Sequence, residues 1–270
     1  MTVKDKILQG RTYLGIELGS TRIKAVLIDD SFSVIASGSK QWENRFENGC
    51  WTYSLDDIHG GIQACYKDLA ENVKAQYGIY PETYGAMGIS AMMHGYMAFD
   101  KNDKLLVPFR TWRNTMTAQA AGELTKLLGF NIPQRWSIAH LYQAVLNKEA
   151  HVPYIAYINT LAGYVHKRLT DRFEVGVGEA SGIFPVEGIG YKKEYCEPTE
   201  KSLAEKGFDH KLKDILPAVR NAGEKGAVLT EEGAKFLDPE GRLKAGVPVC
   251  PPEGDAGTGM VATGIAVKAL

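Results

Sequence analysis

The 270-residue sequence has no long apolar run and few cysteines or histidines. No stretch approaches the roughly 18 apolar residues that a membrane-spanning helix needs, and the polar N-terminal segment lacks the apolar core of a signal peptide. The four cysteines include no CxxC pair, which argues against a zinc ribbon and a disulfide framework. The six histidines show no HExxH or HxxxH spacing, which argues against a histidine-bound metal. We therefore expect a reduced, cytoplasmic protein with no membrane partner.

An excess of positive charge is also missing. The chain has 31 Lys and Arg residues against 32 Asp and Glu residues, so nucleic acid is not an expected partner. Glycine, in contrast, is abundant at 29 of 270 residues, or about 11% where about 7% is usual. We therefore expect many tight turns and close backbone approaches in a chain long enough for one large domain or two small ones.

The most informative stretch, YLGIELGSTRIKAVLID, lies near the start of the chain. It predicts two apolar strands, at residues 13–18 and 23–28, joined by a tight Gly-Ser-Thr turn. Successive backbone N–H groups in such a turn can form a small anion-binding concavity, and an acid, Glu17, and a base, Lys24, flank it. This combination suits a metal-bound phosphate. Taken alone, however, the pattern fits an ordinary hairpin better.

The rest of the chain predicts an α/β protein. A third strand at residues 34–39 makes the start an antiparallel meander, and a helix follows with a capping box at Ser54 and Asp57 and a C-cap at Gly78. The further predictions are strands at residues 85–90, 96–100, 227–230 and 247–249, helices at 117–128, 137–146 (capped by Ser137), 154–169 and 231–236, a strand and turn within 175–184, partial helix within 203–218, and a final helix that is capped by Asp255 and runs to about residue 267.

Asp255 is the strongest candidate for chemistry. It follows the last predicted strand and is placed to cap the final helix, whose partial positive charge favours an ionised carboxylate. A fixed carboxylate of this kind can accept a hydroxyl proton during phosphoryl transfer. Considered by itself, however, a plain N-cap is the better explanation of Asp255.

Five segments in this order, LGIELGSTRIKAVLID, MMHG, LAGYVHKRLTD, GEASGIF and GDAGTG, resemble the FGGY family of carbohydrate kinases, and within it xylulokinase-like members. The resemblance covers nearly all of residues 11–270 and is specific for the family rather than for the sugar. It implies the ribonuclease H-like, actin-type ATPase fold, with a mixed sheet flanked by helices. It also implies that residues 1–270 are the N-terminal domain, that a C-terminal nucleotide-binding domain is absent from this chain, and that the isolated chain is poorly active.

The resemblance implies a role for individual residues. Glu17 stands where the family usually has Asp, the acid that holds the Mg²⁺ of MgATP. Asp255 matches the catalytic base that takes the proton from the sugar hydroxyl. The residues implied to bind the nucleotide phosphates are Gly19, Ser20, Thr21, Lys24 and Gly254, and those implied to bind the sugar are Met93, His94, Trp112, Arg113 and Trp136, with Asn114 and Arg135 beside them.

Some of these roles have structural alternatives. Lys24 fits a solvated strand residue as well as a phosphate ligand, Trp112 fits a core tryptophan nearly as well as a sugar contact, and Met93 is more often a core residue. His94 also fits a strand-end histidine bonded to backbone. The GEASGIF segment, which contains Glu179, is interpreted as structural.

The sequence therefore supports ATP-dependent phosphorylation of a sugar hydroxyl, with a ketopentose or a related deoxysugar as the expected substrate. Small-molecule sugar and MgATP are the expected partners, and a homo-oligomer is expected only for a full-length form. Glu17 in place of Asp leaves a second interpretation, a non-catalytic sugar-binding or regulatory module. A third is an actin-type ATPase with a protein partner. In the first interpretation, Glu17 and Asp255 face one crevice with a sugar pocket between them.

Overall fold

The central sheet begins with the antiparallel meander that the first three apolar segments predict. The computed structural model describes residues 1–224 and 226–262. In it, β1 (Thr12–Leu18) pairs antiparallel with β2 (Arg22–Asp29), and β2 pairs in the same way with β3 (Val34–Gln41). The further strands in the described residues are β4 (Arg45–Glu47), β5 (Cys50–Thr52), β6 (Ala86–Ala91), β7 (Met97–Phe99), β8 (Tyr157–Asn159), β9 (Glu174–Gly176), β10 (Val186–Glu187), β11 (Gly190–Tyr191), β12 (Ala218–Arg220), β13 (Ala227–Val228), β14 (Pro248–Val249) and β15 (Glu253–Gly254).

The longest helix is the one that the capping box predicts. The Ser54 hydroxyl accepts the Asp57 N–H at 3.0 Å, the Asp57 carboxylate accepts the Ser54 N–H at 3.3 Å, and Gly78 ends the helix at φ +75°. The α-helices of the described residues are α1 (Val3–Leu8), α2 (Leu55–Tyr77), α3 (Ala118–Leu128), α4 (Ser137–Leu146), α5 (Leu161–Thr170), α6 (Val177–Ala180), α7 (Lys193–Ala204), α8 (Leu212–Ile215), α9 (Glu231–Leu237) and α10 (Asp255–Ala262).

The strand order places three strand ends together. The sheet runs β13-β14-β6-β1-β2-β3, and β15 also pairs with β6. Because β1 and β15 both run parallel to β6, the carboxyl ends of these three strands meet at one edge of the sheet. Ser90 on β6 lies beside Glu17 on one side and beside Glu253 on the other. With neighbouring strands about 4.8 Å apart, this register puts the backbones of the two glutamates roughly 10 Å apart.

The two faces of the sheet differ in burial. Leu14, Ile16 and Leu18 of β1 are buried in one hydrophobic cluster with residues of α2 and α5. The alternate residues of β1 lie on the opposite face, so Glu17 stays partly exposed there. Gly38 of β3 allows α2 to approach closely, because a Cβ at this position would lie 2.4 Å from the backbone nitrogen of Leu69. A second cluster joins α3 and α4 to the chain after β6.

The single helix predicted at residues 154–169 is wrong. Tyr157–Asn159 forms β8, which pairs with β7, and α5 begins only at Leu161. Thr160 caps α5, since its hydroxyl accepts the Gly163 N–H at 3.4 Å. The apolar residues Ile155 and Ile158 fit a helical stripe by spacing but belong to the second cluster.

The remaining helix predictions have different outcomes. The partial helix expected within residues 203–218 is confirmed, because α7 ends at Ala204 and α8 spans Leu212–Ile215. Ser137 is the first residue of α4, whose N-cap is Trp136. The part of the final helix predicted beyond Ala262 lies outside the described residues. No helix in the described part of the chain is long and apolar enough to cross a membrane.

Candidate active site

Two cavities open at the edge where β1, β6 and β15 end. The larger has a volume of about 540 Å³ and the smaller about 190 Å³. Glu17 and Asp255 both line the larger cavity, and Asp255 lines the smaller one as well. The larger is also lined by Lys24, Ser90, Glu253 and Thr258, among others, and the smaller by Ser20, Met92, Met93, His94, Trp112, Arg135 and Ala256.

Asp255 is positioned by the end of β15 and by the segment after β6. Asp255 is the first residue of α10, whereas the sequence predicts it as the cap residue that precedes the helix. Its Oδ1 accepts a hydrogen bond from the Met93 N–H at 3.2 Å, so the carboxylate is held against the chain segment that leaves β6. Gly254 precedes it, and a Cβ there would lie 2.1 Å from Cγ of Met93. Only glycine therefore allows these two segments to pack so closely.

Glu17 and Lys24 form an ion pair on the open face of the sheet. They face each other across β1 and β2, with Lys24 Nζ 3.3 Å from Glu17 Oε2, and both side chains are partly exposed. Because exposed pairs of this kind are weak, Lys24 is free to exchange Glu17 for another anion in the larger cavity.

The turn between β1 and β2 is fixed by a hydrogen bond within it and by two hydrogen bonds from Trp42, which follows β3. The Gly19 N–H donates to the Arg22 carbonyl at 3.1 Å, and the Trp42 indole N–H donates to the Gly19 carbonyl at 2.7 Å. The backbone carbonyl of exposed Thr21 accepts the Trp42 N–H at 3.3 Å. Of the three turn residues, Ser20 alone lines a described cavity, the smaller one.

His94 has an unusual backbone conformation. Its φ is +68° and that of Gly95 is +90°. Left-handed φ values in non-glycine residues are uncommon and are concentrated at functional sites. The ring is held in a confined space, because Nδ1 lies 3.5 Å from the Gly182 carbonyl and a Cβ on Gly182 would lie 2.5 Å from Nδ1. Burial, and secondarily the charge of Arg135, lower the pKa of His94, so the imidazole is neutral at pH 7.

The predicted sugar ligands divide between the smaller cavity and its surroundings. Trp112 lines the cavity, is 41% exposed, and donates its indole N–H to Ser20 Oγ at 3.3 Å. Arg113 instead places its guanidinium 4.1 Å from the ring centre of Trp51. Trp136 packs near Phe130 before α4. Neither Arg113 nor Trp136 is among the residues that line the cavity.

Asn114 stabilises the backbone of Trp51 next to the smaller cavity's surroundings. It is buried, its Oδ1 accepts the Trp51 N–H at 2.9 Å, and its Nδ2 donates to the Trp51 carbonyl at 2.8 Å. Its amide is therefore occupied by backbone and is not available to a sugar.

Two further acids near Asp255 are not apparent from the sequence. Glu253 Oε2 accepts the Glu179 N–H at 3.0 Å. The Glu253 carboxylate lies between Gly176 and Gly178, where Cβ atoms would lie 2.1 and 2.5 Å from its oxygens. The acid is thus held in a cradle that requires two glycines. A glutamate two residues before a candidate base gives no sequence signal of this packing.

Glu179 is fully buried behind Gly254. Its Oε2 would be 2.8 Å from a Cβ at that glycine, and neither carboxyl oxygen makes a hydrogen bond of good geometry with the described residues, although the Thr160 hydroxyl is near enough to act on the group. Burial raises the pKa of Glu179 to about 8, and the Thr160 hydroxyl opposes this shift while the carboxylates of Glu253 and Asp255 add to it. At pH 7 the group is therefore mostly protonated.

This arrangement supports the transfer of a chemical group from a molecule in one cavity to a molecule in the other. A carboxylate fixed by a backbone N–H lies at their common boundary, with an acid and a lysine on one side and an imidazole, an indole and a guanidinium on the other. No group of three or more His, Cys, Asp or Glu side chains suited to a metal ion occurs within residues 1–224 and 226–262. A cation here would therefore need ligands beyond the protein.

Comparison with known proteins gives a family match over most of the chain. Residues 12–262 match the family model described as the FGGY family of carbohydrate kinases, N-terminal domain. A xylulose kinase of Haemophilus influenzae is 26% identical over 277 aligned residues, which cover 96% of this chain and 54% of that protein. The chain therefore spans about half the length of this curated relative.

Solved structures give the same fold. A xylulose kinase from Rhodospirillum rubrum superposes with a TM-score of 0.73 at 17% identity, covering 95% of this chain and 51% of that one. A gluconate kinase from Lactobacillus acidophilus superposes with a TM-score of 0.71 at 18% identity, covering 90% and 48%. At these identities the likeness concerns the fold, and the predicted ribonuclease H-like, actin-type ATPase fold is confirmed.

Proposed function

Because the chain belongs to the FGGY family of carbohydrate kinases, we propose that it forms the sugar-binding, base-bearing lobe of an ATP-dependent sugar kinase. The observation that supports this most directly is that Asp255 lines both cavities, so that one carboxylate borders two spaces that could hold the two substrates. In this proposal the sugar occupies the smaller cavity and the ATP phosphates reach the larger one.

Asp255 acts as the base in the proposed reaction. Its Oδ1 is held by the Met93 N–H, which fixes the carboxylate while the sugar hydroxyl approaches. The carboxylate accepts the hydroxyl proton as the oxygen attacks the γ-phosphate. Since the transition state of phosphoryl transfer is loose, correct placement of the two substrates contributes more than base strength.

Glu17 is the proposed protein ligand of Mg²⁺. Its carboxylate is partly exposed in the larger cavity and its described partner, Lys24, is held only by a weak ion pair, so an oxygen is available for a hard cation. Mg²⁺ would neutralise charge on the phosphates. Lys24, once released from Glu17, is placed to contact the same phosphates.

His94 and Trp112 are the proposed sugar contacts. The neutral imidazole can donate one hydrogen bond and accept another, which matches a sugar hydroxyl. The half-exposed indole of Trp112 offers an apolar face to the C–H groups of a sugar.

A second, nucleotide-binding lobe is part of the proposal. The match to an N-terminal domain model and the coverage of about half of the curated relative support this division. Two lobes that close on the substrates exclude water from the transfer site, so we expect residues 1–270 alone to bind sugar but to transfer phosphate slowly.

The alternative is a sugar-binding or regulatory module that does not catalyse. It is favoured by Glu17, whose extra methylene relative to Asp changes the position of the metal ligand. A coupled assay of ADP release separates the two functions. The product of the complete reading frame is incubated with MgATP and a panel of neutral and acidic sugars, including the ketopentose that the curated relative's name suggests.

The kinase predicts sugar-stimulated ADP release that Asp255→Asn reduces by at least about 100-fold while sugar binding remains. His94→Ala should weaken sugar binding about 3- to 10-fold and leave nucleotide binding unchanged. Sugar binding without any stimulated ADP release would identify the module instead, and full activity of Asp255→Asn would exclude the assigned base.

A further inference from the structure

Arg135 carries an unpaired charge in the smaller cavity. It lines that cavity, and its guanidinium has no hydrogen bond or ion pair with any of the described residues. Arg135 is an exposed residue, and some other arginines of the described chain are paired. Arg110 pairs with Glu149, and Arg220 donates to Glu174 at 3.0 Å. The guanidinium of Arg135 is therefore not engaged by another described residue and is available to a ligand in the cavity.

The backbone of Arg135 is tied to the segment that carries the imidazole. Its backbone carbonyl accepts the Gly95 N–H at 3.2 Å, which ties the residue to the segment that carries His94. Its charge is the second cause, after burial, that lowers the pKa of His94. Because His94 is neutral at pH 7, Arg135 is the one cationic side chain among the described residues that line the smaller cavity.

The two cavities separate the charged groups. Glu17 and Lys24 line the larger cavity and not the smaller, whereas Arg135 lines the smaller and not the larger. Arg135 is thus on the side assigned to the sugar rather than on the side assigned to the ATP phosphates. The one carboxylate lining the smaller cavity in the described chain, Asp255, is held by the Met93 N–H and is required as the base.

We propose that the sugar phosphorylated at this site carries an anionic group, a carboxylate or a phosphate, which Arg135 binds. This inference rests on the proposed kinase function and defines its substrate class. The planar guanidinium donates two parallel hydrogen bonds to either anion, and such charge-assisted pairs are stronger than bonds to neutral hydroxyls. A cavity of about 190 Å³ is below the roughly 300–1,000 Å³ of drug-sized sites, which suits a single sugar unit.

Matched ligands test the anion directly. The 270-residue chain is titrated calorimetrically with D-gluconate and D-glucitol, which differ only in a terminal carboxylate, and with D-xylonate, xylitol and D-xylulose. The carboxylate of a preferred acid should tighten binding at least about 10-fold over its neutral counterpart. Glucitol 6-phosphate forms a separate arm, and tighter binding of this ester than of either acid identifies phosphate as the recognised anion.

Arginine variants assign the effect to Arg135. Arg135→Gln should weaken binding of the preferred anion about 10-fold or more and leave the neutral polyol unchanged within two-fold, whereas Arg135→Lys should keep part of the preference. Arg168→Gln is the matched control, because this exposed arginine lies over Phe236 and lines neither cavity. The preference should also decrease between 0.05 and 0.5 M salt, roughly as expected for a partly exposed charge pair.

The outcomes distinguish a failure of the anion-binding inference from a failure of the proposed kinase function. Neutral sugars that bind as tightly as their anionic counterparts, or an Arg135→Gln chain that keeps its anion preference, would overturn the inference and leave the kinase standing. If no neutral or anionic sugar binds the chain, the assignment of the smaller cavity to a sugar fails, and the proposed function fails with it.

Discussion

Replacing Glu179 with glutamine should remove a pH dependence of stability that this buried acid imposes on the fold. Its side chain is 0% exposed, and its oxygens make no hydrogen bond of good geometry with the described residues, so only the nearby Thr160 hydroxyl opposes the effect of burial. Burial favours the neutral acid and raises the pKa of Glu179 to about 8 from its ordinary value of 4.5. The folded chain therefore keeps a proton that the unfolded chain releases over most of this interval.

The sign and size of the effect follow from this difference. Below pH 4.5 both states carry the proton and the group does not affect the unfolding equilibrium. Between pH 4.5 and pH 8 only the folded state holds the proton, so the free energy of unfolding falls as the pH rises. A difference of about 3.5 pH units at about 1.4 kcal/mol per unit amounts to about 5 kcal/mol above pH 8 and about 4 kcal/mol at pH 8, a large part of the 5–15 kcal/mol typical of folded proteins.

Urea unfolding followed by the fluorescence of the four tryptophans measures this dependence. The wild type and Glu179→Gln are compared at pH 5, 6, 7 and 8. The glutamine variant cannot ionise, so its free energy of unfolding should rise relative to wild type by about 1 kcal/mol for each pH unit. Taking the difference at each pH cancels the contributions of other groups, such as buried His140, whose lowered pKa of about 3 acts in the opposite direction.

The exposed Glu187 supplies the control. It lies in the short β10–β11 hairpin, and Glu187→Gln should differ from wild type by the same small amount at every pH. A constant difference between wild type and Glu179→Gln from pH 5 to pH 8 would refute the reasoning, because it would mean that Glu179 already releases its proton at an ordinary pH in the folded chain.

Two further predictions concern the supports of the site and the sheet. Glu253→Ala should lower the free energy of unfolding by about 2–3 kcal/mol, because the N–H groups of Gly178 and Glu179 lose their acceptor. Glu253→Gln keeps one acceptor oxygen and should lose clearly less in the same urea titration at pH 7, so equal losses would contradict this role. Ser54→Ala should lower the free energy of unfolding by about 1 kcal/mol through loss of the capping bond to Asp57, and an unchanged value would show that the cap contributes nothing.

Local sequence signals predicted an element correctly where its pattern is compatible with one kind of secondary structure. Buried and exposed residues alternate along β1 and β2, as expected for strands, and the helix after Ser54 has both a capping box and a left-handed glycine at its end. The family motifs also identified one residue near the end of each of three strands: Glu17 at the end of β1, His94 after β6 and Asp255 after β15. Because these three strands are parallel neighbours, Glu17, His94 and Asp255 lie at one edge of the sheet.

Other features depend on partners that are distant in sequence. The stripe at residues 155–169 looked helical because Ile155 and Ile158 fit its spacing, but pairing with β7 makes Tyr157–Asn159 a strand. β15 has only two residues and is too short to give a period. The cradle of Glu253 requires Gly176 and Gly178, more than 70 positions earlier, and no local pattern predicts such a contact.

The burial of Glu179 bears on the proposed reaction as well as on stability. In the proposed reaction, ATP and an anionic sugar would approach the carboxylate of Asp255 from the two cavities, and Glu253 adds a carboxyl group to the lining of the larger one. A third ionised acid directly behind Gly254 would repel all of these charges. Because burial keeps Glu179 mostly protonated at pH 7, it fills the space without adding charge. Above pH 8 Glu179 ionises. This ionisation weakens the fold and also makes the site less favourable to anions.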